Sequence, residues 1–184
     1  MTLNFAHKKT IIKKRIKDSP IIFTGIAAAS VLFLFVIVLR LAAGPLVYTN
    51  DSPSAPRGIY IAAPNQQIHY GDYVIVHCPQ DMPELNVKKG FPMLKKAAGF
   101  TGDSYEVTQD ALITRGRTYP IQHLSYLPQL KPVKAGVPIN AMLFLNDPPD
   151  SLDSRYLGPI SIKNIDKKVF LLISYDKINE ILGR

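Results

Sequence analysis

An uninterrupted apolar segment near the N-terminus places the strongest constraint on how this chain can fold. From Ile21 to Leu39 the sequence holds nineteen residues without a charged side chain. As a helix this length covers roughly 28 Å, close to the hydrocarbon core of a bilayer, which is about 30 Å thick. Residues 41–46 extend the span if the side chain of Arg40 reaches back to the polar interface. The segment therefore predicts a transmembrane helix, which we place at residues 21–43.

A cleaved secretory signal is the alternative interpretation of this segment. The small residues Ala42, Ala43 and Gly44 offer a cleavage site. The apolar run is, however, longer than the roughly 7–15 residues that are usual for the core of a signal peptide. The sequence therefore favours an uncleaved anchor.

The positive charge of the chain is concentrated before the anchor. The 184 residues carry a net charge of +8, and the first 20 hold six basic side chains against one acidic side chain. The region after Arg40 contributes only +2. A basic tail beside an apolar span indicates membrane orientation or contact with anionic lipids, and not a nucleic-acid partner. By the positive-inside rule, residues 1–20 form a cytoplasmic tail and residues 44–184 an extracytoplasmic domain.

Beyond the anchor the sequence predicts short β-strands separated by turns. Runs rich in β-branched and aromatic residues, which favour strands, occur at 59–61, 73–76, 93–98, 104–107, 111–114, 142–145 and 168–174. Residues 115–137 are polar and weakly patterned, 146–154 are typical of a loop, and 176–182 have the apolar spacing of a helix. We therefore predict a mainly β fold, an irregular β-barrel or sandwich behind a single N-terminal transmembrane helix.

A proline-containing stretch from Asn50 to Tyr60 holds two serines, Ser52 and Ser54. Pro53 and Pro56 each fix φ near about −65° and restrict the preceding residue to extended conformations, so the backbone around Ser54 has little freedom. A nucleophilic serine needs such a backbone, because its oxygen must be held close to a fixed line of attack. The alternative is a linker between the anchor and the domain.

A serine nucleophile also needs a base, and the chain offers a lysine in apolar surroundings. The ordinary pKa of lysine is about 10.4, so burial must lower it towards roughly 7–8 before the amine can act as a base near neutral pH. Lys95 and Lys96 lie within the run from Phe91 to Gly99. On a strand they face opposite sides, and Lys95 shares its side with Met93 and Ala97. This arrangement favours Lys95 as the base; a solvated lysine pair is the alternative.

A third polar segment runs from Ser151 to Pro159. Asp153 and Arg155 are two residues apart, so on an extended segment they project to one side and can form an ion pair. The hydroxyl of Ser151 can orient a lysine ammonium group. An ordinary polar loop is the alternative interpretation.

The cysteine and the histidines of the chain do not indicate a metal centre. Cys78 is the single cysteine, so no intrachain disulfide can form, and the four histidines lack the spacing of metal ligands. We expect Cys78 to be structural, because its neighbour His77 would point to the other face of a strand. We expect no metal ion and no cofactor.

Together these segments resemble the signal peptidase I superfamily of serine–lysine membrane proteases, and within it the TraF-type peptidases of conjugative transfer systems. The matching pieces, in the family's order, are Ser54-Ala55-Pro56 with Gly58 and Tyr60; Gly71-Asp72-Tyr73-Val74; Leu94-Lys95-Lys96-Ala97 with Gly99, Gly102 and Asp103; and Ser151 with Asp153-Ser154-Arg155-Tyr156, Gly158 and Pro159. General signal peptidases carry Ser-Met and place the proline one residue later, so the Ser-x-Pro-x-Gly-x-Tyr spacing points to the conjugative branch. The short stretch from Lys96 to Ser151 implies that the large second β-domain of some leader peptidases is missing.

The resemblance implies roles for particular side chains. Ser54 would be the nucleophile and Lys95 the general base. Ser52 would contribute to the oxyanion hole together with the backbone N–H of Ser54, and Ser151 would orient the lysine. Asp153 would pair with the arginine two residues later, Arg155, in a structural ion pair beneath the site.

The implied function is that of a single-pass inner-membrane serine endopeptidase with a cytoplasmic N-terminus and a periplasmic catalytic domain. Its partners would be membrane lipids and a protein substrate, a membrane-inserted precursor such as a conjugative pilin. Some members of this branch also cyclise the pilin, because an amine can replace water in resolving the acyl-enzyme. Two alternatives are a housekeeping type I signal peptidase that removes leader peptides and a non-catalytic assembly subunit of a conjugation or secretion system.

Overall fold

The computed structural model of the chain describes residues 20–183, without the side chains of Pro20, Leu39 and residues 41–43. The predicted tail therefore lies outside the described residues, except for Pro20. The chain divides after Leu46 into two compact units, which are described separately.

The first unit contains a single described helix, α1, which spans Pro20–Ala43. Pro20 suits the first turn, where a backbone N–H has no partner within the helix. The 18 residues from Ile21 to Val38 are long and apolar enough to cross a membrane, and none of them is buried within the structure. The apolar segment of the sequence thus forms one continuous helix.

The second unit, which begins at Val47, is built mainly from short antiparallel strands. The strands are β1 Val47–Asn50, β2 Gly58–Ala62, β3 Tyr73–His77, β4 Pro92–Gly99, β5 Ser104–Val107, β6 Ala111–Thr114, β7 Arg117–Pro120, β8 Val133–Gly136, β9 Ala141–Phe144, β10 Ile160–Ser161 and β11 Ile165–Ser174. The helices are α2 Ser154–Leu157 and α3 Tyr175–Leu182, with 3₁₀ turns at Pro83–Leu85 and Ile162–Asn164.

The strands form two curled sheets. The larger has seven strands in the order β1-β2-β11-β3-β4-β9-β10, and the smaller has four in the order β7-β6-β5-β8. Register shifts in β11 and β4 bend the larger sheet. The predicted mainly β fold behind one N-terminal apolar helix is confirmed.

The smaller sheet packs on the larger one through a shared apolar core. This core includes Tyr105 and Leu112 from the smaller sheet, and Ala98 and Leu143 from β4 and β9. A second apolar cluster lies on the larger sheet between β3 and β10. Its buried members are Val74, Val76, Ala97, Met142, Phe144 and Ile160. Strand β4 is therefore paired with β3 on one side and β9 on the other, and it contributes residues to both clusters. A functional side chain on this strand is held rigidly.

Two expectations about local structure are wrong. Residues 115–137, in which the sequence predicts no strand, contain β7 and β8. Both are edge strands of the smaller sheet, and in each strand three of the four residues are exposed. The segment that carries Asp153 and Arg155 is not extended, because Asp153 caps the short helix α2 by accepting a hydrogen bond from the N–H of Arg155.

Candidate active site

The loop of residues 51–57, here called the serine loop, joins β1 to β2 and carries both candidate serines. Ser54 is partly buried and Ser52 is exposed. Their hydroxyl oxygens are 2.9 Å apart, and the backbone N–H of Ser54 donates to Oγ of Ser52 at 3.3 Å. The candidate nucleophile and the candidate oxyanion-hole hydroxyl are therefore direct neighbours.

The end of the serine loop is held by the glycine and tyrosine of the motif. A Cβ on Gly58 would collide with the carbonyl oxygen of Ile173 in β11, so only glycine allows this close approach of the two strands. The buried Tyr60 donates its hydroxyl to the carbonyl of Pro56 at 2.8 Å. Burial, helped by Tyr73, raises the pKa of Tyr60 to about 12, so the hydroxyl remains a donor.

The candidate base, Lys95, lies in the middle of β4 and is only 5 % exposed. It shares the buried face of the strand with Met93 and Ala97. Burial lowers the pKa of Lys95 from its ordinary 10.5 to about 8, against the opposing effect of the Asp153 charge. Nζ donates to Oγ of the buried Ser151 at 2.9 Å. The side chain therefore has both the environment and the orienting partner that a lysine base requires.

The neighbouring lysine has the opposite environment. Nζ of Lys96 lies 2.6 Å from a carboxylate oxygen of Asp147 and 5.6 Å from the ring centre of Tyr73. Partial burial opposes its charge, but the hydrogen bond to Asp147, with contributions from Tyr73, raises the pKa of Lys96 overall. Lys96 is thus held as a charged ammonium group and is unsuited to accept a proton.

Four predicted site residues line one cavity of about 530 Å³, namely Ser52, Ser54, Lys95 and Ser151. Among the described residues Nζ of Lys95 bonds to Ser151 and not to Ser54. Catalytic hydrogen bonds are often long or misaligned in a free enzyme and tighten when substrate binds. The remaining wall is largely apolar and includes Val87, Phe91, Met93, Leu94 and Leu152. The cavity can therefore accept an extended apolar segment beside the serine and the lysine.

Asp153 and Arg155 do not line this cavity; they form a buried network next to it. Both are completely buried, and two guanidinium nitrogens of Arg155 bond to the carboxylate at 2.8 and 3.0 Å. Arg155 also donates to the carbonyl oxygens of Pro120, Asn146 and Pro148. The pair therefore ties the segment after Ser151 to β7 and to the loop that follows β9.

Asn50, the last residue of β1, holds the serine loop, a role that was not predicted from the sequence. Its side chain bonds to four main-chain groups of the serine loop. Asparagine commonly bonds to the backbone two residues further on, so an asparagine before a proline-containing turn is the signal that could have indicated this role.

The sequence profile of the family described as "Signal peptidase, peptidase S26" matches residues 20–174, from the first residue of α1 to the last of β11. The chain belongs to this family. Its members are serine peptidases that act on proteins, and with the apolar helix α1 this membership indicates a membrane-anchored peptidase.

A crystal structure of a signal peptidase I from Enterococcus faecalis is similar at 18% sequence identity and a TM-score of 0.36, over 56% of this chain and 97% of that chain. No curated protein sequence matches the chain. The assignment to the signal peptidase family therefore depends on the family profile.

Proposed function

We propose that this signal peptidase family member is a serine endopeptidase of the TraF type with a Ser54–Lys95 dyad, and that it processes a membrane-inserted pilin precursor. The observation that carries the proposal is the single cavity that both side chains line, with the lysine buried. A lysine with a pKa of about 8 is neutral in roughly a tenth of molecules at pH 7, far more than an ordinary lysine, so it can accept the serine proton.

In the proposed acylation step, Nζ of Lys95 takes the proton of the Ser54 hydroxyl as Oγ attacks the scissile carbonyl carbon. The backbone N–H of Ser54 and the hydroxyl of Ser52 donate to the developing oxyanion. In the free chain this N–H donates to Oγ of Ser52, so Ser52 must turn when a carbonyl oxygen takes its place. Lys95 then gives its proton to the leaving amine.

In the deacylation step, neutral Lys95 removes a proton from the water that attacks the ester carbonyl. It then returns that proton to Oγ of Ser54 as the ester bond to Oγ breaks. An amine in place of water would join two peptide ends, which is the cyclisation known in the conjugative branch. Ser151 keeps the lysine directed into the cavity in both steps through its 2.9 Å hydrogen bond. No step requires a metal ion or a cofactor.

The pilin substrate is supported by the Ser-x-Pro-x-Gly-x-Tyr motif, which runs from Ser54 in the serine loop to Tyr60 in β2. Gly58 and Tyr60 hold the end of this loop through contacts with β11 and with Pro56. These contacts of Gly58 and Tyr60, together with the position of the proline, distinguish the chain from the general signal peptidases, which carry Ser-Met.

Mass spectrometry of precursors co-expressed with the full-length protein tests the function. We expect the wild type to shorten a conjugative pilin precursor and Ser54→Ala to leave it intact. A general preprotein with a cleavable leader, incubated in vitro with the purified full-length protein, is expected to remain unprocessed. Processing of that preprotein would instead indicate a housekeeping signal peptidase. Intact precursors together with no labelling of Ser54 by a serine-reactive probe would indicate a non-catalytic subunit.

The orientation of the anchor is a further prediction. We propose that α1 is uncleaved in the inner membrane, with residues 1–20 cytoplasmic and the domain of residues 44–184 periplasmic, because the basic residues precede the helix. Protease added to intact spheroplasts should digest the domain and spare an N-terminal epitope, which only permeabilised spheroplasts should lose. Protection of the domain would reverse the topology, and a mature N-terminus near Gly44 would identify a signal peptide.

A further inference from the structure

One buried amide group organises the serine loop from inside. Nδ2 of Asn50 donates to the carbonyl oxygens of Ser52, Ala55 and Pro56 at 2.9, 3.1 and 3.1 Å. Its Oδ1 accepts from the N–H of Ser52 at 3.2 Å. The two hydrogens of one amide are thus shared among three carbonyl oxygens that lie on both sides of Ser54 in the chain.

The position of this amide is itself fixed. Asn50 is the last residue of β1, lies opposite Gly58 in the strand pair, and is only 9 % exposed. The carbonyl of Pro56 accepts from both Asn50 and Tyr60, so the first and last parts of the serine loop meet at these two side chains. An aspartate would fit the same space but has no hydrogens for the three carbonyls.

We propose that Asn50 is a positioning residue that sets the place of Oγ and of the backbone N–H of Ser54 relative to Lys95, an inference that rests on the function proposed above. Within residues 20–183, the side chains of Ser52 and Ser54 bond to each other and to no group of either neighbouring strand. Without the amide, the loop keeps its two prolines but loses its bonds to the end of β1. A nucleophile displaced by about 1 Å can lose roughly 10²-fold in rate.

The test measures how fast a fluorophosphonate probe labels the full-length protein in detergent micelles. In this reaction Oγ of Ser54 forms a bond to phosphorus, fluoride leaves, and the serine proton passes to Lys95. We expect Asn50→Ala and the isosteric Asn50→Asp to be labelled about 10²-fold more slowly than the wild type. For Asn50→Ala the rate should still rise with pH through the wild-type midpoint, because Lys95 lies on another strand.

Gln66 provides a matched control. Its side-chain amide donates to the carbonyls of Ala63 and Lys168 and accepts from the N–H of Lys168, outside the candidate site. Gln66→Glu removes the same kind of donors from another loop. We expect this variant to be labelled at the wild-type rate, even if the substitution lowers its melting temperature.

Labelling of both Asn50 variants within about twofold of the wild type would overturn the inference, as would a loss of rate in Gln66→Glu equal to theirs. A midpoint shifted in Asn50→Ala would also overturn it, because Asn50 would then act on the base and not on the loop. These outcomes are independent of the pilin experiment, since a chain that labels normally but leaves pilin intact contradicts only the proposed substrate.

Discussion

Replacing Lys95 with arginine is expected to reduce precursor cleavage by about 10²–10⁴-fold, the usual contribution of a general base. Arginine keeps its charge at every accessible pH and cannot accept the serine proton. Lys96→Arg is the matched control, because it makes the same change one residue further along the strand, where the side chain is 28 % exposed and paired with Asp147. We expect it to retain most of the activity.

Both variants can be assayed with a peptide that spans the cleavage site mapped by co-expression. The wild-type rate should rise with pH through about 8, where buried Lys95 becomes neutral, and not near 10.5. The sign follows from the role of the residue, since only the neutral amine is a base. An active Lys95→Arg together with an inactive Lys96→Arg would contradict the assignment of Lys95 as the base.

Asp153→Asn is expected to lower the free energy of unfolding by about 3–5 kcal/mol, the usual result of breaking a fully buried ion pair. The cause is the guanidinium of Arg155, which would remain completely buried without its counter-charge. Equilibrium denaturation of the full-length protein in micelles would measure the change. The yield of folded protein and the activity should fall together.

The control for this prediction is Glu180→Gln, the same acid-to-amide change in the exposed pair between Glu180 and Lys177 on α3. Breaking an exposed pair should cost less than about 1 kcal/mol. An Asp153→Asn variant with normal stability and no activity would place Asp153 in the catalytic machinery instead.

The strands that could be predicted from sequence are the inner ones. Each of the seven predicted runs corresponds to a strand with a partner on both sides, whereas the four that were missed, β1, β7, β8 and β10, are the edges of the two sheets. An inner strand needs apolar or β-branched residues at most positions. An edge strand pairs on one side only, so a sequence such as that of β7, with Tyr119 as its one buried residue, lacks that pattern.

In the candidate site, the features that depend on neighbouring residues in the sequence could likewise be predicted, whereas those that depend on distant residues could not. The buried face of Lys95 follows from strand alternation alone, and the structure places Met93 and Ala97 beside it on that face. The ion pair of Asp153 and Arg155 was expected from their spacing, and it is present. Its helical setting was not predicted.

What the sequence could not indicate is the set of main-chain groups that these side chains bind. Arg155 bonds to the carbonyls of Pro120 and Pro148, and Asn50 bonds to those of Ala55 and Pro56. Every residue carries a backbone carbonyl, so the sequence does not show which of them a side chain will bind. That depends on how the chain is folded. This is why the sequence indicated candidate catalytic side chains but not the main-chain contacts of Asn50.

The central claim is that Ser54, activated by Lys95, is the nucleophile, and the site of fluorophosphonate attachment tests it most directly. Ser52 is a demanding internal comparison, because its hydroxyl oxygen lies only 2.9 Å from that of Ser54. Peptide mass spectrometry with fragmentation should locate the adduct on Ser54 in the wild type and find no adduct in Ser54→Ala or Lys95→Arg. An adduct on Ser52 or Ser151, or undiminished labelling of Ser54→Ala, would contradict the account.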